Sequence, residues 1–524
     1  MLSERTIINA LILAAGLIVG PYLTIATVEH DYLPILIAGG IIFLLVIFFF
    51  VGDRICALPM FGLCFAGKLD FLPFGLTLAD LCSFVTVLYY LVSYVALRQR
   101  NFKTGPRAFF FPIITVGLII LYHQKSFGLH AFGGNTEGSR PALLMLVCVT
   151  CYFCGINIAT PSIAFLQRVP WYALTLTVIS NLPYIITTYA PQAARSLIYL
   201  SDNVNTSAYF GEEIVRQGAQ AEIGAALQAV LLAYFPIYTW WRPYRWWVAC
   251  LSFLCFYFVA QGGYRSDMAL YVLLIVLGAW CYCSWRTLFL VPPLIIAILG
   301  LDLAQSSHLV KLPLSVQRSL AFLPGAWDKD VKESTDSSTE FRNDIYQMYM
   351  REYFAKSPLV GNGFAIDRDE LDTINARIQF DNRDGYYTIK SFVVSKLFHI
   401  GWISVYDAVG LIGTAAFIML GANISYISGR FIFGQGSWRR SPLLPLRVWI
   451  FCNVTHDMIG FFTVFGSFSQ TFTALCAYAI ILAKIREIEQ KPEMQIDRSS
   501  EHELYGLPSL RKATSPQPVG EPAR

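Results

Sequence analysis

Apolar residues run in long blocks along most of this chain, and the blocks stop for one polar interval, from Ala304 to Phe398. A membrane helix needs about 20 apolar residues to cross roughly 30 Å of hydrocarbon. Blocks of about that length lie near 6–28, 33–51, 72–97, 108–122, 141–160, 170–190, 222–240, 246–261, 267–284, 287–302, 401–422, 447–465 and 467–484. A further block at 55–67 is short and interrupted by "ALPMF", which fits a half-span or a re-entrant piece. The pattern predicts an all-α polytopic membrane protein of about 12–14 transmembrane helices, with one large extracytoplasmic loop containing amphipathic helices. Its expected divisions are an N-terminal bundle at 1–302, the loop at 303–400, C-terminal transmembrane helices at 401–484 and a disordered cytoplasmic tail at 485–524.

Composition agrees with the pattern. The chain of 524 residues is 55% hydrophobic and 14% charged, against about 25% charge in soluble domains. Its net charge of +4 is too small over this length to point to nucleic acid. Loops carrying Arg54, Arg98, Arg100, Lys103, Arg107, Arg168, Arg242, Arg245, Arg286, Arg430, Arg439, Arg440 and Arg447 alternate with loops holding about half as many cations. This asymmetry predicts cytoplasmic termini and places the interval 303–400 on the outer face. The apolar run after "MLSERT" reads as a retained first span. The 12 cysteines avoid the polar interval, so no disulfide framework is offered there; Cys148, Cys151 and Cys154 read as small core residues of an apolar helix. No internal repeat is visible, which argues against the inverted-repeat plan of many transporters.

Chemistry gathers at the outer boundary. In "AQGGYRSDMALYVLLI", Arg265 sits between two apolar runs; it reads either as an interfacial anchor paired with Asp267 or as a planar fork for phosphate oxygens. In "STEFRNDIYQMYMREYFAKSPLVGNGF", Phe341, Ile345, Met348 and Tyr349 follow helical spacing, and Ser357 and Pro358 stop the helix. Arg342, Tyr346 and Tyr349 share a face of that helix, and Arg342 can reach an anion or pair with Glu340 or Asp344. Gly361 and Gly363 permit positive φ and a tight fold-back. His399, at the water boundary before the next span, can be a general base or a polar cap. His456 and Asp457 form an intramembrane pair, either functional or helix-packing glue. Arg140 sits in the neighbouring outer loop "HQKSFGLHAFGGNTEGSRP", which also holds His123 and His130.

An Arg-bearing turn between spans ("GGYRSDM"), an Arg-bearing outer helix, "SPLVGNGF", and His399 ahead of "GLIG" occur here in that order. This order, over residues 245–420, resembles the bacterial O-antigen ligase and polymerase family of membrane glycosyltransferases. The sequence departs from the family in "HIGW", with Ile400 where the family usually has Asn. The resemblance implies transfer of a glycan from a polyprenyl diphosphate carrier to an acceptor hydroxyl, at the outer face of the bacterial inner membrane. Lipid A core or a growing glycan would be the acceptor, membrane lipids the surroundings, and no cofactor or metal is implied. Arg265 and Arg342, with Arg140 as a third cation, would hold the diphosphate in place of a metal, and His399 would deprotonate or orient the acceptor hydroxyl. The turn Pro358, Gly361, Gly363 would close the loop over the site and position its arginine helix. Ligation and repeat-unit polymerisation both remain open, and a lipid-linked glycan transporter is the reading from another class.

Overall fold

Hydrocarbon offers backbone groups no partners, so an apolar chain must satisfy them within itself. Every regular element among the described residues is accordingly helical. The computed structural model describes residues 52–65, 77–97, 102–123, 139–189, 217–240, 242–307, 311–380 apart from 322, 324 and 367, 385–433 apart from 399, and 441–490 apart from 465. The blocks at 6–28 and 33–51, most of the interval 191–221 and the tail from 491 on lie outside them, as does His399, while 485–489 continue the last helix.

In chain order, a 3-10 turn at Gly52–Ala57 leads into α1 (Leu58–Leu63), α2 (Leu78–Leu97), α3 (Arg107–His123), α4 (Ser139–Asn157), α5 (Ile163–Tyr189) and α6 (Gly218–Tyr234). There follow α7 (Trp246–Gln261), α8 (Arg265–Cys283) and α9 (Val291–Ser306), then the polar-interval helices α10 (Leu314–Leu320), α11 (Lys329–Glu352), α12 (Arg368–Phe380) and α13 (Tyr386–Val394). The chain closes with α14 (Gly401–Phe433), α15 (Leu444–Thr463) and α16 (Phe468–Glu489). Among the described residues four helices are long and apolar enough to cross a membrane: α5 over Ile163–Ile186, α8, α14 over Gly401–Arg430, and α16. The 19 residues of α8 rise about 28 Å, close to the hydrocarbon thickness. Shorter apolar helices accompany them at Leu78–Tyr94, Arg107–His123, Pro141–Asn157 and Trp246–Gln261.

The largest buried cluster joins α3, α4, α6, α14, α15 and α16 through residues such as Phe109, Tyr152, Phe417, Phe468 and Ile480. Small residues set the closest approaches: an added Cβ at Gly155 would lie 2.7 Å from Ile480, and one at Gly278 would lie 2.8 Å from Leu232. At one end of α16 a fully buried Lys484 donates to the carbonyls of Ile156 and Ile158, closing the end of α4, and lies 3.4 Å from Glu487. Orphan carbonyls at a helix C-terminus need donors, and a cation is favoured there.

Two local differences from the sequence pattern matter for the site. The arginine-bearing helix starts at Lys329, well before Ser338, where the stretch "STEFRNDIYQMYMREYF" opens. Val331 and Thr335 are both buried and continue the inward face at a spacing of four, so packing extends the helix through polar sequence. The span that opens at Gly401 is broken at Gly410, where φ is 64° and ψ is −167°.

Candidate functional site

The turn between α7 and α8 is held from several sides. Gly263 has a φ of 73°, and an added Cβ at Gly262 would lie 2.7 Å from that of Ala221. Short α10 is clipped beneath: Ser315 donates to Gln261 at 2.9 Å, and Ser319 donates to the Ala260 carbonyl at 2.9 Å. Arg265 therefore leaves this turn as the first residue of α8 in a fixed direction. Its Nη2 donates to Thr339 Oγ1 at 3.0 Å and to the Thr335 carbonyl at 3.4 Å, while Asp267 takes a bond from Ser266. The arginine thus bridges to α11 instead of pairing with its neighbour. A cation beside a helix N-terminus lies against the dipole, and both favour an anion there.

The inward stripe of α11 runs Val331, Thr335, Thr339, Arg342, Ile345, Tyr349, at spacings of three and four. Its two ends are apolar and buried, but its middle is Thr339, which is exposed, and Arg342, which is half-buried. The stripe thus opens in the middle, where Arg265 arrives, and Arg342 lies one turn beyond Arg265's contact at Thr339. Thr335 is 4% exposed and its hydroxyl has no hydrogen-bond partner among the described residues. A buried hydroxyl without a partner is costly unless something meets it.

Beyond this opening, α11 joins the start of α14 through a second core of Ile345, Met348, Tyr349, Val393, Phe398, Ile403 and Tyr406. Phe398 stands edge-on to Tyr349 at 5.2 Å, and Ile400 packs against the same cluster, filling an apolar position. Residues 398 and 400 bracket His399.

The glycine turn fits into the broken helix. The amides of Leu411 and Ile412 donate to the carbonyls of Pro358 (2.9 Å) and Leu359 (3.1 Å), and the Asn362 amide donates to the Asp407 carbonyl at 2.6 Å. These bonds satisfy backbone groups that the break at Gly410 frees. Gly361, with φ of 80°, and Gly363, with φ of 73°, lie in the buried part of the turn, Gly361 directly against Gly410. His123 at the end of α3 meets the Val360 carbonyl through Nε2 at 2.7 Å and lies against Gly363.

One carboxylate gathers the surrounding polar groups. Asp407 is 3% exposed; it pairs with Lys396 Nζ at 2.8 Å and accepts from Asn362 Nδ2 at 2.7 Å and from the Tyr349 hydroxyl at 3.3 Å. Lys396 also donates to the Gly363 carbonyl. Burial pushes the Tyr349 phenol well above its usual range, and the Asp407 charge adds to this.

The structure thus joins Arg265 and the helix of Arg342, and joins Pro358, Gly361 and Gly363 to α14. Arg140 lies in the first turn of α4, and its side chain lies outside the described residues. His456 and Asp457 bond to each other at 2.9 Å within α15. Not evident from the sequence are Arg318, 6% exposed on α10 beside the α7–α8 turn, and the Asp407, Lys396 and Asn362 cluster. For Asp407 a signal existed, an acid inside an apolar block. For Arg318 the only signal was one cation in the short stretch "LSVQRSL" after Pro313.

These features define an all-helical membrane protein with a folded polar segment docked on its helices. Among models of known protein families none matches the chain, and no curated protein matches it either.

Proposed function

We propose that this protein is an O-antigen ligase-like glycosyltransferase of the bacterial inner membrane, with cytoplasmic termini, 12–14 spans and the polar interval outside. It moves a glycan from a polyprenyl diphosphate carrier to an acceptor hydroxyl. The observation that carries the reading is the docking of Arg265 onto the polar middle of α11 beside Arg342. Two arginines and a helix N-terminus at one opening suit a diphosphate leaving group, whose charge grows as the sugar bond breaks. Support also comes from the two glycine stretches of the family resemblance, "SPLVGNGF" and "GLIG", which are backbone partners here. His399, ahead of "GLIG" in the sequence, takes or orients the acceptor proton.

The test compares parent, deletion, and deletion strains complemented with wild type or Arg265→Ala, measuring carrier-linked glycans by mass spectrometry and sizing them by repeat number. Long carrier-linked chains in the deletion and Arg265→Ala strains mean ligation; single repeats mean polymerisation with the same donor. Unchanged carrier pools refute the reading. Arg265→Lys keeps the charge but loses the fork, so transfer should fall about tenfold or more, matching the loss of one charged bidentate contact of roughly 1.5 kcal/mol or more. Full activity in Arg265→Lys would remove Arg265 from the diphosphate site.

A further inference from the structure

The opposite end of α7 carries a second cationic site. The 16 residues of α7 rise about 24 Å, so Trp246 lies that far along the helix from the Arg265 turn. No Asp or Glu occurs in the sequence between Glu222 and Asp267. Within this acid-free stretch Arg242 Nη1 donates to the Tyr244 hydroxyl at 2.9 Å, and Arg245 Nη1 donates to Thr239 Oγ1 at 2.9 Å. The Arg245 guanidinium also lies over the Tyr244 ring at 5.4 Å and over Phe235 at 5.8 Å. Neither arginine meets a carboxylate among the described residues. Two guanidiniums are therefore held around one phenol, with no carboxylate beside them among the described residues.

The helix that begins there presents a continuous apolar stripe outward. Trp246, Phe253, Leu254 and Tyr257 are 63%, 73%, 40% and 47% exposed, at helical spacings along one side of α7. Such a stripe lies against acyl chains, with its tryptophan end at the water boundary, where aromatic rings concentrate. The stripe and the arginines meet at Trp246, joining a surface for acyl chains to a fork for phosphate oxygens.

We propose that Arg242 and Arg245 bind the phosphodiester headgroup of an anionic phospholipid whose acyl chains lie along Trp246, Phe253 and Tyr257. A zwitterionic lipid is the poorer fit. Its ammonium finds no carboxylate among the described residues, and the Tyr244 face that could hold it is already taken by Arg245. A free phosphate would use the fork and leave the apolar stripe unused. The site is separate from glycan transfer, and its test reads no transfer activity.

The full-length protein, delipidated in detergent, is titrated with phosphatidylglycerol and with phosphatidylcholine, and bound lipid is counted by native mass spectrometry. The wild type should hold phosphatidylglycerol more tightly. Arg242→Gln with Arg245→Gln should weaken it about thirtyfold, the effect of two surface cations, and leave phosphatidylcholine unchanged. Arg242→Gln alone, which removes only a bond to Tyr244, should keep the helical circular dichroism signal and weaken binding about fivefold. Equal affinity for the two lipids, unchanged phosphatidylglycerol binding in a folded variant, or full displacement by equimolar inorganic phosphate would each overturn the proposal.

Discussion

Replacing Gly361 by alanine tests whether the glycine turn truly closes the break in α14. Its φ of 80° costs an alanine about 1–2 kcal/mol. The new Cβ would also lie 2.6 Å from the Gly410 nitrogen and 2.7 Å from both the Asp407 oxygen and the Val409 nitrogen, all of them backbone atoms. Backbone cannot rotate away as a side chain can, so the turn must withdraw. Withdrawal strains the bonds from Leu411, Ile412 and Asn362, at 2.9, 3.1 and 2.6 Å, each worth about 1 kcal/mol. The expected loss is therefore about 4–5 kcal/mol.

Two other glycines separate these contributions. Gly385 has a φ of 67° with nothing within 4 Å of an added Cβ, so alanine there costs only the dihedral part, about 1–2 kcal/mol. Gly218 has open space and no positive φ, and alanine there should be neutral or slightly stabilising. Equilibrium unfolding in mixed micelles, followed by tryptophan fluorescence, orders the three. If Gly361→Ala falls within about 0.5 kcal/mol of Gly385→Ala, the turn does not depend on the close approach to Gly410, and the reasoning fails.

The Asp407 and Lys396 pair should couple in a double-mutant cycle: Asp407→Asn alone costs about 2–4 kcal/mol, but about 1–2 kcal/mol less when Lys396 is already Met, and strict additivity would refute the pairing. Lys484→Met should cost about 3 kcal/mol in the same assay, because the Ile156 and Ile158 carbonyls lose their donor; a loss below about 1 kcal/mol would mean other groups close α4. Lys390 pairs with Glu370 at 2.8 Å, and that hydrogen bond raises its pKa. The contribution is thus complete below the ordinary lysine range and is lost as pH rises through the raised value. Because both groups are partly exposed it stays under about 1 kcal/mol, and Lys390→Met should lose its small deficit in strongly alkaline buffer.

The apolar helices were legible because the constraint is one-dimensional: an apolar block of sufficient length in hydrocarbon must become a helix. The block at 401–422 shows where that reasoning stops. "VGLIGTAAF" looks like ordinary span sequence, and the break at Gly410 needs the Pro358–Gly363 backbone, far away in the chain, to supply its partners. The glycines of "PLVGNGF" signalled a tight turn, but composition does not specify what a turn packs against. An acid within a span needs a partner, which points to Asp407 as directly as to His456 and Asp457. Lys396 lies before the span begins, so no helical period relates the two. Arg265 was visible as a cation at a span boundary; that it reaches Thr339 instead of Asp267 follows from where α10 and α11 pack.

The arginine helix is fixed at two places that the sequence keeps far apart. Near one end, Arg265 from α8 holds Thr335 and Thr339; near the other, the Tyr349 hydroxyl bonds to Asp407 in α14. Residues 335 and 349 are about 21 Å apart along the helix, and Arg342 lies midway. Asp407 is also where the glycine turn, through Asn362, and the α13–α14 link, through Lys396, are tied down. Lys396 adopts a φ of 60°, a conformation costly for a side-chain-bearing residue, and its bonds to Asp407 and the Gly363 carbonyl oppose that cost. One carboxylate at the helix break thus ties the glycine turn, the α13–α14 link and one end of α11 to the membrane helices. Loosening it should displace Arg342 without any change at the arginine itself.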